Sequence, residues 1–181
     1  MSAARARDPV LTPRLELRPV GTQDVDDLVL LYGDPLVAFW TGPWTRTTVA
    51  AWADAMVERW ADDGVGKWMA HERSDGTLVG RGGFSRIDLD GETVLELGWV
   101  VRDALAGRGY ATEIGRAALQ WAATFVPDLP VVAFTEVHNR ASQAVMRHLR
   151  MRDAGIIHRE GLVESRSGLH PDAPFALYRA D

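Results

Sequence analysis

Hydrophobic residues recur at every second position in "RLELRPV" (residues 14–20), where Leu15 and Leu17 alternate with Glu16 and Arg18 until Pro19, and this period predicts a first strand. The next segment, "DVDDLVLLY" (24–32), reads as a helix: Thr22 is placed to cap it, Asp24 suits the positive end of its dipole, and Gly33 with Pro35 closes it. "LVAFWTGPWTRT" (36–47) follows no period. Helical spacing returns at Val49, Trp52, Met56 and Trp60, predicting a second amphipathic helix that ends near "DDG" (62–64) with its tryptophans in the core.

From residue 66 the period falls back to two. "GKWMAHER" (66–73), "LVGRGGFSRID" (78–88) and "TVLELGWVV" (93–101), joined by "SDGT" and "DGE", predict an antiparallel meander. A helix over 109–125 buries a stripe of Ile114, Ala118, Trp121 and Phe125, and Pro127 follows it. "PVVAFTEV" (130–137) reads as a buried strand, "NRASQAVMRHLRM" (139–151) as a helix, and "AGIIHRE" (154–160) and "FALYRA" (175–180) as two short strands. No repeat, low-complexity tract or linker interrupts the pattern, so a single domain over residues 13–181 is expected after a flexible arm over 1–12.

Composition narrows the function class. With 20 Lys+Arg against 25 Asp+Glu the net charge is −5, which lacks the basic footprint of a nucleic-acid or anionic-membrane binder. There is no cysteine, which excludes disulfides, thiolate metal sites and a cysteine nucleophile. Without a signal-peptide core or a long uncharged apolar run, the expectation is a cytoplasmic protein, monomeric or homodimeric. The histidines at 71, 138, 148, 158 and 170 show no metal-binding spacing, so no metal is expected.

The stretch "ALAGRGYATE" (104–113) runs into the helix at 109–125. A helix N-terminus exposes N–H groups without intrahelical acceptors and carries the positive end of the peptide dipoles. Gly107 and Gly109 would let a phosphate approach that backbone, and Arg108 could add charge; equally, the glycines could only relieve strain in a strand-to-helix loop. A P-loop is excluded, since no Gly-Lys-Ser/Thr occurs. A nicotinamide dinucleotide stays open: Thr112 stands where a third small residue is wanted, but Glu136 lies at the distance of a ribose partner.

"TPRLELRPV", "LELGWVV", "GRGYATE" and "NRAS" together resemble the GNAT superfamily of acyl-CoA-dependent N-acyltransferases, and within it the branch that acetylates the N-terminal amines of ribosomal proteins, over most of the chain from residue 12 to 179. The resemblance implies an α/β (α+β) fold, a mixed, mostly antiparallel twisted sheet with a central splayed parallel pair and flanking helices. It implies acetyl-CoA as co-substrate. Its diphosphate would lie on Gly107, Arg108, Gly109, Tyr110, Ala111 and Thr112, and its pantetheine along the backbone near Gly98, Trp99, Val100 and Val101. Asn139 would contact the coenzyme and Ser142 would lie near the thioester sulfur. Two departures stand out. Ala104 replaces the usual Gln or Arg before the loop, and Leu149, Arg150 and Met151 replace a Leu-Gly-Phe ending, which implies a different helix exit.

The reaction so implied is transfer of an acetyl group to a primary amine, on a protein N-terminus or a small molecule, by direct attack in a ternary complex. The amine must lose a proton first. Glu96 occupies a position where relatives of the branch carry glutamate, and is the candidate base; it could equally be an outward-facing surface charge. Ser142 would hydrogen-bond the departing sulfur, Tyr110 would pack, and His138 is the alternative base. Asp88, Asp90 and Glu92 read as solvated hairpin charges. Phe39, Trp40 and Trp44 would wall the acceptor pocket, or fill core beneath the sheet. Two other functions remain: a catalytically silent acyl-CoA-binding domain, and a nicotinamide-dependent reductase.

Overall fold

The alternation at Leu15 and Leu17 resolves into a strand paired on both edges. In the computed structural model, which describes residues 7–180, β2 (Leu15–Pro19) lies antiparallel to β1 (Val10–Leu11) and to β3 (Lys67–Glu72). The arm expected over 1–12 falls partly outside the described residues; within them, Val10–Leu11 form β1 and Thr12 is buried. β4 (Leu78–Leu89), β5 (Glu92–Val101), β6 (Val131–Glu136), β7 (Arg152–Leu162) and β8 (Leu169–Arg179) complete a sheet of order β1-β2-β3-β4-β5-β6-β8-β7. Every neighbouring pair is antiparallel except β5–β6. The mixed sheet implied by the resemblance is the one that forms.

Helices cover both faces. α1 (Val25–Tyr32), α2 (Pro35–Thr41) and α3 (Arg46–Asp62) bury Leu28, Leu31, Tyr32, Val49 and Met56 against Met69 on one side. On the other, α4 (Tyr110–Phe125) sets Ile114 and Trp121 on Trp68, Phe84 and Leu97. Trp68 and Trp121 meet edge to face at 5.4 Å, and Trp60 from the end of α3 joins them. Burying a side chain of this size contributes about 1.5–3 kcal/mol, which is why these stripes fix the helices. α5 (Arg140–His148) packs beside α4. Among the described residues no helix is long and apolar enough to cross a membrane.

Three expectations are corrected. Residues 36–47 are not wholly irregular. Asp34 accepts a hydrogen bond from the Leu36 N–H at 3.1 Å, Pro35 supplies the first helical residue, and α2 runs until Gly42 turns left-handed at φ 77°. Thr22 does not cap α1; it opens a 3₁₀ turn, and the buried Asp24 carboxylate accepts from the Gly21 N–H while pairing with Arg18 at 2.6 Å. Finally, β8 begins at Leu169 and includes Pro171 and Pro174. Both lie before Phe175, where pairing with β6 starts, so no ladder bond to β6 is lost.

Candidate active site

β5 and β6 are partners at only two positions, Leu95↔Val131 and Glu96↔Val132. Beyond Glu96 the strands part, and the β5 edge from Leu97 onward faces a cleft of about 760 Å³ instead of a neighbour. Backbone N–H and C=O groups on an open strand edge are ready to pair with an extended ligand. Trp99, Val100 and Val101 line this edge, half-buried. α2 and α3 form one wall, with Trp40 and Trp52, and Thr135, Asn139 and Ser142 the other. Asp34 joins wall to floor, because its second carboxylate oxygen accepts the Asp103 N–H at 2.9 Å.

The glycine loop closes one end of the cleft. Gly107 and Gly109 have φ of 73° and 81°, a left-handed region that strains any side-chain-bearing residue, and Gly109 is the cap of α4. Glu113 N–H bonds the Gly109 carbonyl at 3.0 Å, so the N–H groups of Tyr110, Ala111 and Thr112, one turn earlier, have no intrahelical acceptor. Gly107, Gly109, Tyr110, Ala111 and Thr112 all border the cleft. Arg108 is exposed and is not among the residues that border it. The arginine that reaches the loop is Arg14. Its Nη1 donates to the Arg108 carbonyl at 3.0 Å, and its Nη2 lies 3.7 Å from where a Cβ on Gly109 would stand. No local pattern could have shown a contact made across 94 residues.

Around that loop, Tyr110 packs as expected, its ring under the Arg14 guanidinium at 4.1 Å and its hydroxyl donating to Glu72, a bond that raises the phenol's pKa. Glu113 gathers the start of the chain. It accepts from the Thr12 hydroxyl at 2.6 Å, the Arg14 N–H at 2.9 Å and the Arg14 Nε at 2.7 Å. Burial pushes its carboxyl pKa up, but these bonds together outweigh burial and hold it below the usual glutamate value.

At the fork itself, Glu96 faces the cleft with its side chain 20% exposed, which answers the surface-charge alternative. Its Oε2 pairs with Lys67 Nζ at 3.2 Å, and the same ammonium donates to the Gly83 carbonyl at 3.0 Å. Lys67 is buried at the cleft wall, its side chain 7% exposed. Burial pushes its ammonium below the ordinary lysine value, with Glu96 pulling it back and Arg81 adding to the depression. Gly98 makes room for the pair, since a Cβ there would lie 3.0 Å from Glu96 Oε1 and 3.4 Å from Lys67 Nζ. Lys67 was not legible as a site residue: a lysine in an alternating strand reads as solvent-facing.

Asn139 both caps α5, accepting the Ser142 N–H at 3.1 Å, and borders the cleft. The Ser142 hydroxyl faces the cleft without a hydrogen-bond partner among the described residues. The aromatic wall differs from expectation. Trp40 borders the cleft, but Phe39, its neighbour on α2, points about 100° away and is 59% exposed. Trp44 lies behind the wall, stacked on Tyr32 at 4.2 Å with its Nε1 donating to the Thr41 carbonyl. Trp52, assigned to the core by its spacing, is shared with the cleft. His138 meets the Trp40 ring at 5.3 Å, is not part of the cleft lining, and is poorly placed as a base. Asp88 serves the hairpin, accepting the Gly91 N–H at 2.9 Å. Among the described residues no group of three or more His, Asp or Glu side chains could hold a metal.

Comparison with known proteins agrees with this geometry. Residues 14–152 match the family model described as acetyltransferase (GNAT) domain. No curated protein matches the sequence as a relative. Among solved structures, a GNAT-family acetyltransferase from Bacillus anthracis superposes with a TM-score of 0.75 at 20% identity, covering 95% of this chain and 97% of its own. The ribosomal-protein-S5-alanine acetyltransferase from Vibrio fischeri gives 0.76 at 12% identity, covering 95% of both chains. The ribosomal L7/L12 α-N-protein acetyltransferase RimL in complex with coenzyme A gives 0.77 at 15%, covering 94% of this chain and 96% of its own. At these identities the likeness speaks for the fold. The family match removes the nicotinamide reductase, and the chain belongs to the GNAT acetyltransferase family as an acyltransferase.

Proposed function

We propose that this protein transfers an acetyl group from acetyl-CoA to a primary amine by direct attack in a ternary complex. The observation that carries this reading is the position of Glu96: a carboxylate held by a buried ammonium, at the point where β5 and β6 part, in one cleft with the glycine-capped N-terminus of α4.

The division of labour follows from that cleft. The free N–H groups and dipole of α4 suit a diphosphate, and the glycines at 107 and 109 keep side chains out of its way. The open β5 edge suits the pantetheine amides, and the structure of RimL, similar in fold, in complex with coenzyme A supports this reading. The thioester then arrives at the fork, and the amine enters between α2, α3 and the sheet. Glu96 attracts the ammonium form and takes its proton; the neutral nitrogen attacks the thioester carbonyl; the tetrahedral intermediate collapses, the C–S bond breaks, the thiolate leaves with a hydrogen bond from Ser142, and the second proton of the nitrogen passes to the thiolate or to solvent, leaving the neutral amide and coenzyme A.

Calorimetric titration with acetyl-CoA, with NADH and ATP as controls, followed by thiol release across a panel of amines, tests the reading. Selective heat with acetyl-CoA and release with at least one amine are expected, and Gly109→Val should abolish binding. Binding without release on any amine would return the protein to a silent acyl-CoA-binding role; binding that survived Gly109→Val would end the phosphate-cradle assignment.

A further inference from the structure

On the α1–α3 side of the sheet the cleft holds a second cation with no ion-pair partner among the described residues. Arg81 lies on β4 opposite Val100, on the strand face that also presents Gly83 and Ser85, and it borders the cleft with Glu96 and Trp52. Its guanidinium is fixed in place. Nε donates to the Tyr32 hydroxyl at 2.6 Å, and the group lies over the Trp52 ring at 5.1 Å and the Tyr32 ring at 5.5 Å. Tyr32 cannot yield, because Trp44 is stacked on it. Yet among the described residues no carboxylate pairs with Arg81. Glu96 is taken by Lys67, and Glu136, on the far wall, is turned to Thr135 and the Leu162 N–H.

Lys67 and Glu96 pair with each other and Glu136 accepts from the Thr135 hydroxyl and the Leu162 N–H, which leaves Arg81 as a cation of the lining without an ion-pair partner among the described residues. An arginine stays charged, and a preoriented guanidinium fork in a half-buried wall is matched by a carboxylate. A second ammonium on the acceptor would meet repulsion if it were placed against Arg81. Building on the acetyl-transfer reading, we propose that the acceptor is an amine carrying a carboxylate several bonds from the reacting nitrogen, with Arg81 binding the carboxylate while Glu96 receives the amine. Val100, opposite Arg81, stands four residues from Glu96 along β5, so the two backbone positions are ~13 Å apart at ~3.3 Å per residue and the two side chains enter the cleft at different points, which suits an acceptor whose carboxylate and reacting nitrogen are separated.

The test compares matched acceptors by initial rates of thiol release: δ-aminovalerate against its amide, a serine–glutamate dipeptide amide against serine–glutamine, and spermidine. In the wild-type protein the acidic member of at least one pair should show kcat/KM about tenfold or more above its neutral partner, with spermidine below both. The small-molecule and dipeptide arms say which source carries the carboxylate. Arg81→Met should erase the preference through the acidic acceptor alone, with calorimetric acetyl-CoA binding unchanged, and Arg81→Lys should restore only part of it. Equal rates within both pairs, or a preference for spermidine, would overturn the Arg81 assignment while acetyl transfer stood. Thiol release with no amine would instead remove the transfer reading, and this one with it.

Discussion

Lys67 and Glu96 illustrate how a single pair can serve stability and chemistry together. A buried ammonium costs several kcal/mol in lost hydration, and among the described residues the Gly83 carbonyl and Glu96 offset that cost. The pair holds the carboxylate at the fork, where a cationic acceptor must present its proton. Glu96→Gln is expected to lower kcat by about 10²–10⁴-fold, the usual span for a general base, with acetyl-CoA affinity unchanged by calorimetry. An unaltered rate across the pH range would remove Glu96 as the base. Lys67→Met should act differently: it leaves Glu96 without its positioning partner, so turnover falls while the variant keeps a pH response that Glu96→Gln lacks. The sequence pointed to Glu96, the glycines, Asn139 and Ser142 because each sits in a short motif. It was silent on Lys67, Arg14 and Arg81, whose partners lie 16 to 99 residues away and are brought near only by the tertiary fold.

Among the elements, the exit of α5 carries strain that its sequence advertises. The family's glycine is replaced by Arg150, which suggested a different exit, yet Arg150 adopts the left-handed conformation at φ 61° all the same. The Arg150 N–H bonds the Arg147 carbonyl and the Met151 N–H bonds the Met146 carbonyl at 3.1 Å, satisfying the end of the helix. A left-handed side-chain-bearing residue costs roughly 1–2 kcal/mol, partly balanced by the freedom glycine would gain when unfolded. Arg150→Gly should therefore stabilise the protein by about 0.5–1 kcal/mol in urea unfolding, without affecting turnover; a lower midpoint would show that the Arg150 side chain contributes more than its backbone costs. Elsewhere the local code was readable. The Asp90–Gly91 turn, with φ of 56° and 84°, is the two-residue hairpin that its sequence predicts. α2 was missed because Pro35, which does end the preceding helix, also begins the next one.

At the scale of the whole molecule, the start of the chain is bound to the helix that is proposed to hold the coenzyme. Thr12 and Arg14 converge on Glu113 in the first turn of α4, the Arg73 guanidinium donates to the Thr12 carbonyl at 2.8 Å, and Arg14 touches the glycine loop. One carboxylate thus joins the β1–β2 connection to the first turn of α4 and, through Arg14, to the glycine loop, an arrangement formed only once the chain has closed. Since the folded-state pKa of Glu113 is depressed, its contribution is fully present above the unfolded glutamate value and is lost as pH falls through the folded one. Thermal melts from neutral to acid pH should show the wild-type protein losing stability across that carboxylate range. Glu113→Gln should be less stable than wild type at neutral pH by about 2 kcal/mol, a Tm lower by roughly 4–8 °C, from the lost charged hydrogen bonds. Its stability should also fall less steeply in acid, so that the two curves converge. Because Arg14 would lose its anchor beside Gly109, acetyl-CoA affinity should weaken in the same variant. Parallel melting curves with unchanged affinity would mean that Glu113 does no more than occupy the first turn of α4.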